Sequence, residues 1–169
     1  MKKIFKTLFI IPVILITSGF TYTIKSNNYS DTSKIIKMKF AEKKMEITGN
    51  VPDEIMEYCK ESNPNIKKQE VKGLLAQRNY VHKLHKDFEQ YQEDIGIMVD
   101  VEKNPDKEPI PLQNLPYETQ KEHNEKLKKI WDEEIRFLEM RRDKRMISNK
   151  HFKEDYKTFK KIRAELDNF

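Results

Sequence analysis

The sequence predicts an all-α fold: an elongated helical hairpin or three-helix bundle with a coiled-coil-like seam, after an N-terminal signal or membrane-anchor helix. Three observations carry that reading. Apolar residues recur every seven positions between residues 74 and 98. Helical stripes at spacings of three and four return after residue 117. A proline-rich break at residues 104–116 separates the two periodic stretches.

The first element is the leader, residues 1–24. Lys2, Lys3 and Lys6 precede an apolar run from Thr7 to Ile16, and Thr17-Ser18-Gly19 follows. A basic start, an apolar middle and a small-residue exit form a secretory signal pattern. Thinner apolar character continues to Ile24, so residues 4–24 would sit in a membrane if they stay uncleaved. The expected location is exported: periplasmic or extracytoplasmic, or anchored in the cytoplasmic membrane with the body outside. Residues 25–50 read as a linker with uncertain short elements; residues 34–48 fit either a helix or a small hairpin.

The helical domain is expected over residues 51–169. Pro52, Asp53 and Glu54 suit a helix start, and Asn63-Pro64 stops it, giving a short helix over 52–62. Leu74, Val81, Phe88 and Ile95 then alternate with Gln77, Leu84, Tyr91 and Met98 as a heptad seam. It predicts a long helix over 66–95 or beyond. Pro105, Pro109, Pro111 and Pro116 forbid helix across the connector, which should be extended. Leu127, Ile130, Trp131, Ile135 and Leu138 share one face of a second long helix over 117–147. Phe152, Tyr156, Phe159, Ile162 and Leu166 make the stripe of a helix over 149–168, capped by Ser148 or Asn149.

Charge narrows the function classes. The chain has 169 residues and a formal net charge of +5. Four lysines and no acid fall in residues 1–30, which leaves 29 basic and 28 acidic residues for the body. A nearly neutral body gives no general electrostatic reason to bind nucleic acid. Residues 86–140 carry a net −7 between basic flanks, a distribution suited to antiparallel helices with complementary edges.

Chemistry is sparse. There is no P-loop, dinucleotide fingerprint, HExxH or Gly-x-Ser-x-Gly elbow. His82, His85 and Glu89 could share a helix face, but the two histidines flank the seam on opposite sides, so no metal and no cofactor are expected. The lone Cys59 cannot close a disulfide within the chain and reads as a small buried residue. No catalytic residue is assigned, and the chain is not expected to be an enzyme.

Two segments are candidate interaction surfaces. Pro105, Pro109, Pro111 and Pro116 form a stiff connector that either turns the chain around or offers a polyproline segment to a groove. Arg141, Arg142, Lys144 and Arg145 form the densest basic run, read as favourable cations at a helix C-terminus or as a contact for anionic headgroups or phosphate. The expected function is therefore protein–protein binding at the cell envelope, with an envelope protein as partner and possible homo-oligomerisation through the heptad seam.

Two alternatives accompany it. The segment Leu115-Pro116-Tyr117-Glu118-Thr119-Gln120, the size, the leader and the hairpin layout make the chain similar in organisation to the LTxxQ periplasmic chaperones, which would imply a chaperone or stress sensor. That segment departs from the family motif in residue type and spacing. Leu74-Leu75-Ala76-Gln77-Arg78 and Val81 resemble the arginine-bearing first helix of chorismate mutases, which would imply a small exported helical enzyme. The rest of that pattern is absent.

Overall fold

The computed structural model describes residues 43, 49–100, 102 and 104–168. The expected leader lies outside them, as does the choice between helix and hairpin at residues 34–48 apart from Lys43, which is helical and exposed. The chain divides into two compact units, residues 1–58 and 59–169. Among the described residues all regular structure is helical: α1 (Asp53–Ser62), α2 (Lys68–Asp94), α3 (Tyr117–Asp143) and α4 (Asn149–Glu165). No helix among them is long and apolar enough to cross a membrane.

α1 begins one residue later than the expected start at Pro52. The Pro52 carbonyl accepts from the Met56 amide at 3.2 Å, so proline caps the helix rather than opening it. Asp53 and Glu54 then meet the positive end of the helix dipole. At the far end Asn63 Oδ1 accepts from the Asn65 amide at 3.1 Å, a local turn that competes with helix.

α2 starts where the Glu70 carboxylate accepts from the Lys67 amide at 2.9 Å. Of the expected seam, Leu74, Val81 and Phe88 are buried and Gln77, Leu84 and Tyr91 are half-buried. Val71 and Leu75 are buried too, so the first turns bury a face broader than a two-position seam. The helix ends in a left-handed glycine. Gly96 has φ +77°, its amide donates to Glu93 O at 3.0 Å, and the Ile97 amide donates to Gln92 O at 3.1 Å. Those two bonds close the last turn and bury Ile97 beneath it.

The connector is not extended throughout, as the prolines alone suggested. Leu112–Asn114 forms one 3-10 turn, with the Asn114 amide donating to Pro111 O and the Leu115 amide to Leu112 O. Pro111 and Pro116 bracket this stretch, and the residues between them keep the N–H groups a short turn needs.

α3 stops at Asp143, four residues before the expected end at 147. Lys144 caps it and Arg145 takes φ +57°. The Arg145 amide donates to Arg142 O and the Met146 amide to Arg141 O, the bond pattern that a glycine makes at the end of α2. α4 follows at once, with Ser148 Oγ accepting from the His151 amide at 3.3 Å. Its last three expected residues, Leu166–Asn168, tighten into a 3-10 turn.

Within residues 59–169, α3 is the shared helix: it packs against α2 on one side and α4 on the other. Contacts from Glu70 to Lys144, Gln77 to Glu133 and Tyr91 to Thr119 run in opposite directions along α2 and α3. Contacts from Arg142 to Phe152, Trp131 to Phe159 and Lys128 to Asp167 do the same along α3 and α4. Both pairs are therefore antiparallel. Phe137, not among the expected stripe residues, is buried as well; it follows Ile130 by seven residues and extends that edge of the stripe.

Polar contacts fix the register. Gln77, the polar lapse in the seam, donates to Glu133 Oε2 at 2.7 Å, and His85 Nε2 lies 2.9 Å from Glu134 Oε1. These partly buried pairs specify one alignment of α2 on α3, which a purely apolar seam would leave degenerate. At the other face Arg163 forks between Asp132 and Asp167, at 2.8 Å each, tying the end of α4 to α3.

Candidate interaction surfaces

The two segments singled out by sequence lie at opposite ends of the α2/α3 hairpin. The prolines join the end of α2 to the start of α3, and the basic run follows the end of α3. Twenty-seven residues of α3 separate them. At 1.5 Å per residue that is about 40 Å, so they cannot form one site.

At the basic end, the side chains are largely engaged in the fold. Lys144 Nζ pairs with Glu70 Oε1 at 2.7 Å, and its carbonyl accepts from Asn63 Nδ2 at 2.8 Å. This clasp joins the end of α3 to the start of α2. The Lys144 ammonium, and secondarily the Lys67 amide, hold the Glu70 carboxyl below its usual range. Arg142 pairs with Asp143 at 2.8 Å and lies over the Phe152 ring at 4.6 Å. Arg141 lies 5.9 Å from the Phe137 ring. Arg145 is exposed.

At the connector end, Pro105, Pro109, Pro111 and Pro116 are all exposed. Two apolar side chains stand out among them: Ile110 at 43% exposed and Tyr117 at 73%. Tyr80 is the only other large apolar residue among those described that is exposed to this degree. The connector is nevertheless anchored. The Ile110 amide donates to Gly96 O at 2.8 Å, and a Cβ on Gly96 would come within 3.2 Å of Ile110 Cδ1. Gln120 Nε2 donates to Leu115 O at 2.7 Å, fixing the entry into α3. Tyr117 also borders a shallow depression with Gln120, Lys121, Asn124, Glu125 and Lys128.

Behind this end lies His123, the one buried polar or charged residue described, at 6% exposed. Its ring centroid is 5.0 Å from that of Phe88. Gln92 Nε2 donates to His123 Nε2 at 3.3 Å, which places the ring proton on Nδ1, facing Asn124 Oδ1 at 3.5 Å. Burial pushes the imidazole pKa down, opposed more weakly by the Asn124 contact, so the ring is held neutral.

Remaining candidates for chemistry are dispersed. His82 is exposed and His85 is turned to Glu134, so the H-x-x-H pair does not converge. No group of three or more His, Cys, Asp or Glu among the described residues is placed to hold a metal. Cys59 is buried, and desolvation pushes its thiol up to about 11.

Ile110 and Tyr117 are not among the residues that the sequence pattern marks; the prolines are. The available signal was an isoleucine between two prolines and a tyrosine at the first position of a helix, both hard to bury. No protein-family model matches the chain, and comparison with curated proteins and with solved structures finds no match either.

Proposed function

We propose that this is an exported or membrane-anchored helical protein that acts by binding a protein partner at the cell envelope, with no catalysis of its own. The observation that carries the reading is the connector: four exposed prolines flank an exposed Ile110 and lead into an exposed Tyr117. Two exposed apolar side chains within one short connector give it apolar anchors that a solvated loop does not need. The Gly96–Ile110 hydrogen bond anchors the connector at Ile110, which lowers the entropy lost when that residue is bound. The leader pattern supports an envelope location. The seam residues Leu74, Val81 and Phe88 are buried within the chain, so binding is given to the connector rather than to the seam.

The test is a crosslinked pull-down from intact cells through a C-terminal tag. The wild type should recover one envelope protein at near-stoichiometric yield, and the double variant Ile110→Ser, Tyr117→Ser should lose it. Equal recovery by the two proteins would refute the assignment to the connector. Recovery of many unrelated clients would favour a chaperone role.

A further inference from the structure

The three long helices differ in charge. Counting Lys, Arg, Asp and Glu, α2 is neutral, α3 carries −1 and α4 carries +3. The excess on α4 is ordered. At 100° per residue, Lys150, Lys153, Lys157, Lys160 and Lys161 fall within an arc of about 100°. All five are exposed. The opposite face of α4 carries Phe152 and the buried Phe159, and Leu166, buried in the 3-10 turn that follows, continues it. The lysines thus form a solvent-facing ridge about 16 Å long.

Helix stability accounts at most for Lys160 and Lys161, near the C-terminal end of α4, and not for the rest of the ridge. Lys150 lies in the first turn of α4, where a cation opposes the helix dipole, and that turn has no acidic residue. Internal pairing does not explain it either. Of the five, only Lys161 joins an ion pair among the described residues, with Glu165 at 3.9 Å, and Lys160 sits 5.4 Å over the Tyr156 ring.

We infer that the lysine ridge of α4 docks on an anionic phospholipid surface. Lysines on one face, each a mobile point charge, suit a plane of phosphate headgroups. The ridge has no exposed aromatic among its lysines on which bases would stack, which argues against single-stranded nucleic acid. The inference rests on the envelope reading for the presence of a bilayer near the body.

The test uses the full chain reconstituted in vesicles of phosphatidylcholine alone, or with about a third phosphatidylglycerol. Acetylation rates of the five ridge lysines are read by peptide mass, with exposed Lys86 on α2 as internal control. The ridge lysines should be selectively slowed in anionic vesicles, and about 0.5 M salt should restore their rates. In single Lys→Gln variants the salt-sensitive binding should weaken by about fivefold per lysine removed. The five-site Gln variant should lose it while keeping its helical far-UV spectrum. Equal rates in the two vesicle types would overturn the inference. So would protection by duplex DNA without protection by anionic vesicles. Because this is measured on purified protein, its outcome is separate from export and partner capture in cells.

Discussion

Replacing Phe159 with alanine tests the packing of α4 on α3. Phe159 is 7% exposed and meets Trp131, 8% exposed, edge-on at a centroid distance of 5.2 Å. Truncating a buried Phe to Ala costs about 3–5 kcal/mol, a range that includes the cavity left behind. Loss of the edge-to-face pair accounts for about 0.5–1.5 kcal/mol of it. Leu166 is the other buried apolar anchor on this side and stays in place, so the lower part of the range, about 3 kcal/mol, is expected. With a urea slope of about 1.5 kcal/mol/M, the unfolding midpoint should fall by about 2 M. The chain has one tryptophan, so selectively excited tryptophan emission reports on the surroundings of Trp131, of which the Phe159 ring is a part. In Phe159→Ala the native emission should shift to the red, and Phe159→Leu should stay within about 1.5 kcal/mol of the wild type. A midpoint change below about 0.5 M with unchanged emission would refute the packing argument.

Three further outcomes follow from particular residues. Gly96→Ala should destabilise by about 1–2 kcal/mol in chemical denaturation, from the left-handed φ of +77° together with crowding of Ile110. Arg145→Gly should do the reverse and stabilise by about 1 kcal/mol, because a side chain now occupies a left-handed position at φ +57°. The third concerns pH. The folded-state pKa of His123 is below the ordinary 6.5, so the unfolded chain binds the extra proton first. Its contribution is fully present above 6.5 and is lost as pH falls from there toward the depressed value. Stability measured from pH 7 down to 5 should therefore decline, and His123→Phe should flatten that decline; an unchanged slope would rule His123 out as its source.

Much of the helical core was legible because it obeys a period. Leu74, Val81 and Phe88 sit at heptad spacing and are buried; Trp131 and Phe159 lie on the stripes that bring them together. Breaks made by proline and glycine were legible for a related reason: Pro64 and Gly96 impose backbone states of their own. The end of α3 was not, since its left-handed residue is an arginine that carries no stop signal. Phe137 escaped although it follows Ile130 by seven residues, because Glu133, Glu134, Arg136 and Glu139 around it mask that edge of the stripe.

The candidate surfaces were legible in composition and opaque in partnership. Four prolines announced a stiff connector, but only tertiary structure shows Ile110 left in solvent with its amide bound to Gly96. The basic run looked like one patch. Lys144 in fact pairs with Glu70, 74 residues away, and Arg142 lies on Phe152 of the next helix. Sequence spacing carries no information on such partners.

The most direct measurement places a photocrosslinking residue at position 110 in cells, with a control at position 83 on α2. Binding through the connector predicts one discrete crosslink to an envelope protein from position 110 and none from position 83. No crosslink from 110, or the same products from both positions, would contradict it.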